Sequence, residues 1–330
     1  MRIRKRAVAG AAAAAWLAWR SWPGSSLHGR AAFVTGGSRG LGFLIARRLL
    51  DEGCRVAICG RDRHALQRAR RRLAPYGQVV ALRCDVADAD QVERTVRRIA
   101  DRLDGIDILV NNASVIPMGP LDALDTEDFS RALDINFWGV FHTTMAVLPH
   151  MRAAGGGRIA NITSIGGKVA VPHLLPYDVA KFAVLGFSEG LTAELARYGI
   201  AVTTVVPGLM RTGSPLHVGY KGNALAEFTW FAAADLLPIT AMSAERAARR
   251  IVRAIRRRET EVTLTWQAKL LRITHGVAPG ITIRALGLAN RLLPADAEPV
   301  SVPGRVLLDD LPSKPLRRAL DVAARHSNQV

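Results

Sequence analysis

The chain has 330 residues, 49% of them hydrophobic, and a formal charge of +17. That balance excludes a disordered chain and an integral membrane bundle, and the length suffices for one large domain with a sizeable core or for two small ones. The charge sits at the ends: residues 1–30 hold six basic residues and no acid, residues 243–330 carry net +8, and the body between them is nearly neutral. Basic ends on a neutral body suit an anionic surface, membrane lipid more readily than nucleic acid. Neither zinc-finger spacing nor an aromatic-rich basic strand points to nucleic acid.

Residues 1–28 form a basic, alanine-rich segment. Its uncharged run from Ala7 to Trp19 would span about 20 Å as a helix, short of the ~30 Å hydrocarbon core. Three readings stay open for it: an interfacial anchor, a cleaved signal peptide, or a mobile tail.

From residue 29 to 265, short β-branched runs alternate with longer amphipathic stretches. Residues 31–37, 55–60, 79–84, 107–112, 157–163, 201–206 and 261–265 read as seven strands. In the helical stretch from Glu245, Ala248, Ile251, Val252 and Ile255 share one face and arginines the other. Such alternation predicts an α/β fold, a doubly wound seven-stranded parallel sheet with basic amphipathic extensions at both ends. Cys54, Cys59 and Cys84 lie in or beside strand-like runs, with no metal-ligand spacing, and read as reduced structural thiols in a cytosolic compartment. No metal site is expected.

After the first strand, Gly36, Gly40 and Gly42 lead into a helix, the context in which glycines let a backbone approach a dinucleotide pyrophosphate. The second strand ends on Gly60 and Arg61, where an NAD site usually carries an acid for the ribose hydroxyl. Arg39 lies within the loop itself. Two guanidinium groups suit a 2′-phosphate, so NADP(H) is favoured over NAD(H). Further on, Tyr177 precedes Lys181 by about one helical turn, Pro176 suits the first turn of that helix, and Ser164 follows the fifth strand. A phenol is a proton donor whose ordinary pKa, about 10, a neighbouring ammonium would lower. A serine hydroxyl supplies a second hydrogen bond to a carbonyl oxygen.

With these motifs the chain resembles the short-chain dehydrogenase/reductase family over roughly residues 29–265. The run Thr35 to Gly42 is similar to the family's TGxxxGxG loop, which implies cofactor contacts from Gly36, Ser38, Arg39, Gly40, Leu41 and Gly42. Asp85 and Val86 resemble the adenine-contacting pair. Asn111, Asn112 and Ala113 resemble the NNAG motif, departing from it at Ser114. Pro207, Gly208 and Thr212 resemble the PGxxxT segment over the nicotinamide. Asn136, Ser164, Tyr177 and Lys181 match the catalytic set, and the resemblance implies that Lys181 also binds the nicotinamide ribose and that Asn136 holds a relay water. It also implies a homo-oligomer. The expected activity is NADPH-dependent interconversion of a carbonyl and an alcohol. The alternative is a non-catalytic NADP-binding scaffold or redox sensor at a membrane surface.

Residues 219–240 fall where the family places its substrate loop. Phe228, Trp230 and Phe231 there favour a lipophilic small molecule, steroid-, retinoid- or acyl-like, unless they only cap the core or form a subunit contact. His173 reads equally as a pocket wall or a plain loop residue. Residues 266–330 read as a helical extension, with a lid, an oligomer contact and a basic amphipathic membrane surface all open for its first half. From Ala295 on, the proline- and charge-rich end is expected to be extended or loose. Together these features point to the cytoplasm, with peripheral contact to a membrane's cytoplasmic face through the two ends.

Overall fold

The computed structural model describes residues 26–236 and 241–329, so the readings of residues 1–25 lie outside the described residues. The strands are β1 (Ala31–Thr35), β2 (Arg55–Gly60), β3 (Val79–Arg83), β4 (Ile108–Asn111), β5 (Gly157–Ile162), β6 (Ile200–Val206) and β7 (Glu261–Thr263). They form one sheet in the order β7-β6-β5-β4-β1-β2-β3. Every pairing in it is parallel. All seven segments read as strands are present, with no end displaced by more than two residues. Chain order reverses between β1 and β4, and a crevice at the carboxyl ends of strands flanking such a point is where open α/β sheets bind ligands.

The helices, in chain order, are α1 (Gly40–Asp51), α2 (Arg63–Leu73), α3 (Ala89–Leu103), α4 (Thr126–Leu133), α5 (Gly139–Ala153) and α6 (Leu175–Leu195). After them come α7 (Ala224–Leu236), α8 (Ala244–Arg256), α9 (Trp266–Val277), α10 (Pro279–Asn290) and α11 (Lys314–His326). One sheet face packs on α1, α2 and α8. There Ile45, Leu49, Ile251 and Ile255 lie with Val34 and Ile58 of the strands. The expected buried face of α8 is the observed one. Each such aliphatic side chain contributes about 1.5–3 kcal/mol by leaving water. The other face packs on α3, α5 and α6 through residues such as Val96, Ile99, Met151 and Leu195. Between sheet and helices runs a buried polar chain. Asn111 donates to Asn161 (2.9 Å), Asn161 donates to Ser188 (3.1 Å), and Ser188 meets Thr204 (2.7 Å). It ties β4, β5, β6 and α6 together below the carboxyl ends of the strands. The three cysteines are free and buried.

The end of the chain corrects an expectation. Residues beyond Ala295 are not loose: Val302–Pro303 pairs antiparallel with Gly219–Tyr220, and α11 follows. Leu307, Leu311, Leu320 and Ala324 complete a third core cluster around Tyr220, Phe228 and Phe231. Composition suggested looseness because prolines and charges dominate the stretch. The few apolar residues among them fall where they meet the aromatics of α7.

Candidate active site

A cavity of about 930 Å³ opens at the carboxyl ends of the strands, large enough for an extended organic ligand. Its floor is the turn between β1 and α1. Gly36 has φ +63°, a left-handed value that favours glycine, and a Cβ there would lie 2.9 Å from the Ala113 Cα. Gly42 lies against Gly36 and the Asn112 amide, so it makes room within the loop and does not line the cavity. Thr35 Oγ1 accepts from the backbone N–H groups of Asn112 (2.9 Å) and Ala113 (3.1 Å). The Asn112 amide donates back to the Thr35 carbonyl (3.1 Å). These bonds lock the glycine turn to the end of β4.

At one end of the cavity Arg39, Arg61 and Arg305 converge. Burial holds the Arg39 guanidinium below its ordinary range, and the charges of Arg305 and Arg61 push it further the same way. Such a cluster is stabilised by an anion. The acid beside it, Asp62, is engaged otherwise: its carboxylate caps α2, accepting from His64 N (2.8 Å) and Ala65 N (3.1 Å). Arg305 was missed in the sequence because it lies in the end expected to be loose. Its place is set by backbone bonds of the extension, such as Arg305 N to Leu216 O (2.9 Å).

Ser164, Tyr177 and Lys181 meet on the cavity wall. Ser164 follows β5 directly. Tyr177 and Lys181 stand one turn apart at the start of α6, and Thr163 Oγ1 donates to the Lys181 carbonyl (3.0 Å), pinning that helix to the strand end. The Lys181 amine lies 5.5 Å from the centre of the Tyr177 ring and donates to the Ile162 carbonyl (3.0 Å). The electrostatics differ from the simple expectation. Burial pushes the Tyr177 phenol up to about 12, against a hydrogen bond with Ser164 that lowers it, and burial pulls Lys181 down to about 7. In this structure desolvation decides the phenol's position, and the charge of Asp178 pushes it the same way.

Of the other residues singled out, Ser38, Gly40, Leu41, Asp85, Val86, Pro207, Gly208 and Thr212 also line the cavity. Asn136 does not. It sits in a π-helical turn, fully buried, and its amide closes on Val115, accepting from the backbone N–H (2.9 Å) and donating to the carbonyl (3.0 Å). Its side chain therefore fixes the loop after β4. Ser114 is exposed at the cavity, so the departure from the motif costs no buried space. Trp230 and Phe231 line the cavity, whereas Phe228 is core, stacked near Tyr220. His173 is neither pocket wall nor plain loop: it is buried, with Nδ1 2.6 Å from Glu227, which also accepts from the Trp230 indole (2.8 Å). That clasp holds α7 on the segment preceding Tyr177.

The tail after α11 reaches the glycine turn. The Gly40 N–H donates to the Ser327 carbonyl (2.7 Å), the Asn328 amide to the Ser38 carbonyl (2.6 Å), and the Gln329 amide to the Thr212 carbonyl (2.6 Å).

The glycine cradle, the arginines and the polar trio fit a phosphate-bearing dinucleotide. The family model described as short chain dehydrogenase matches residues 30–217. The chain is 37% identical over 188 residues to dehydrogenase/reductase SDR family member 4 of Bos taurus, covering 56% of this chain and 67% of that one. A gluconate 5-dehydrogenase from Burkholderia cenocepacia, solved with NADP and tartrate, superposes with a TM-score of 0.64 at 29% identity, over 73% of this chain and 96% of that one. A short-chain dehydrogenase from Streptomyces avermitilis gives 0.68 at 25% identity, over 79% and 97%. The chain belongs to the short-chain dehydrogenase/reductase family and is an NAD(P)-dependent oxidoreductase.

Proposed function

We propose that the enzyme interconverts a carbonyl and an alcohol on a lipophilic small molecule, with NADPH as the preferred reductant. The observation that carries the reading is the meeting of Ser164, Tyr177 and Lys181 in the cavity that also holds the glycine turn. A reduced nicotinamide bound there supplies the hydride. Tyr177 gives its hydroxyl proton to the oxygen that becomes the alcohol, and Ser164 holds that oxygen by a second hydrogen bond. The ammonium form of Lys181 favours the phenolate that Tyr177 becomes. Gly36, Ser38, Leu41, Asn112 and Ala113 cradle the cofactor, with Asp85 and Val86 beside the adenine and Pro207, Gly208 and Thr212 toward the nicotinamide. Arg39 and Arg61, joined by Arg305, take the 2′-phosphate.

Support for a lipophilic substrate comes from the apolar part of the cavity lining, with Leu174, Leu209, Leu216, Trp230 and Phe231. Trp138, Met145, Val179 and Phe182 are exposed on and beside α5 and α6, and we assign them to a helix-paired homo-oligomer. The basic ends lead us to locate the enzyme at the cytoplasmic face of a membrane.

The test compares NADPH and NADH binding, then screens hydrophobic ketones and aldehydes with the tighter cofactor. Tyr177→Phe is expected to lower kcat by about 10²-fold or more while cofactor affinity holds. Turnover undiminished in that variant sinks the proton-donor role.

A further inference from the structure

Helices α9 and α10 carry their amphipathic pattern inside out. In α9, Trp266, Leu270, Ile273 and Val277 recur at i, i+4, i+7 and i+11, which places them on one face. That face points to solvent. Its opposite holds buried Ala268, and Ala268 and Leu271 line the active-site cavity. In α10 and the turn after it, Ile281, Ala285, Leu288 and Leu292 repeat the same spacing, again outward. The seven large residues of the two stripes are between 53% and 87% exposed. Lone exposed aliphatics are ordinary on a protein surface, but two stripes of them on adjoining helices mark a surface that meets something.

The charges select what that is. No acidic residue occurs from position 262 to 295, while Lys269, Arg284 and Arg291 flank the two stripes. Arg272, on the inner side of α9, is paired with Glu261 (2.6 Å). A second copy laid on this face by two-fold symmetry would bring six like charges together, which opposes self-association. An anionic bilayer satisfies both features, because its headgroups meet the cations and its acyl boundary takes the apolar stripes and Trp266. Each helix is 12 residues, about 18 Å, too short to cross the ~30 Å core, so it lies along the surface.

We propose that the outward faces of α9 and α10 dock the enzyme on an anionic lipid surface, with the inner face of α9 serving as a wall of the substrate cavity. This rests on the membrane location proposed above and identifies the contact as the helical pair rather than the first residues of the chain. One helix then faces lipid on one side and the cavity on the other, which suits a substrate that partitions into membranes.

Co-sedimentation of the full chain at low salt with phosphatidylserine–phosphatidylcholine vesicles, and with phosphatidylcholine alone, tests this. Binding is expected to the anionic vesicles and to fall as salt rises. A variant combining Leu270→Glu, Ile273→Glu and Leu288→Glu is expected to lower the bound fraction by about tenfold or more, as is one combining Lys269→Glu, Arg284→Glu and Arg291→Glu. Both sets lie on exposed positions, and an unchanged Tm and NADPH affinity verify that the variants are folded. If both variants bind like the parent while loss of residues 1–25 abolishes binding, the membrane location stands and the helical pair is not its anchor. If the full chain binds neither vesicle, both proposals fall. If the apolar variant changes only the oligomeric state in light scattering, a second copy covers the face and the lipid assignment is overturned.

Discussion

Replacing Lys181 with methionine is expected to abolish activity and to stabilise the fold. The amine is 2% exposed, and burial brings its pKa from 10.5 to about 7. At ~1.36 kcal/mol per pH decade, this amounts to at most about 5 kcal/mol held against folding at pH values where the amine is charged in both states. The bond to the Ile162 carbonyl offsets about 1–3 kcal/mol that the variant forgoes, which leaves a net gain of about 2–4 kcal/mol at pH 6. The native pKa lies below the unfolded one, so between about 7 and 10.5 the unfolded chain holds more protons and the parent's stability rises with pH. By about pH 9.5 the residual penalty is ~1.4 kcal/mol, and the variant's advantage shrinks by about 3 kcal/mol, almost to nothing. Asp178 and Asp235, held by burial at about 8 and about 7, titrate nearby, but both proteins contain them and they cancel in the difference. Calorimetry at pH 6 and 9.5 reads this directly. At roughly 1.4 °C per kcal/mol for a chain of 330 residues, the variant should melt about 3–6 °C above the parent at the lower pH and close to it at the higher. A variant that melts lower at pH 6, or by the same margin at both values, refutes the claim that the fold holds this amine against its own desolvation.

Removing the guanidinium groups at the proposed 2′-phosphate end, by Arg39→Ala or Arg305→Ala, is expected to raise the Kd for NADPH by about tenfold each and leave that for NADH within about twofold. Equal losses for both cofactors in titrations followed by fluorescence would remove the phosphate assignment. Deleting residues 327–330 frees the Gly40 N–H and the space beside it, so NADPH is expected to bind about tenfold more tightly. Weaker binding in the truncated protein would mean that the tail is part of the cofactor site and not its competitor.

The parts of the fold legible in the sequence are those written locally. β-Branched runs such as Arg55–Gly60, and the clean apolar face of α8, state their element and their buried side without reference to the rest of the chain. The glycine turn and the tyrosine–lysine spacing are equally local, and the cavity brings together the groups they implied. Two features escaped for one reason. Asn136 is aimed by its partner Val115, twenty-one positions earlier, and the phenol's pKa is decided by the depth of its burial, which no spacing records.

The tail makes the same point at longer range. Residues 327–329 have no pattern of their own, yet they are almost wholly buried, because α11 delivers them to the mouth of the glycine turn some 290 positions away. The third core cluster fixes that delivery. Leu320 and Ala324 of α11 pack with Tyr220 and Phe228, and Phe231 of the same cluster also forms cavity wall. A substrate that presses on Trp230 or Phe231 therefore pushes against the helix that carries Ser327 to Gly40. The proposed cofactor site and substrate wall thus share one packed body.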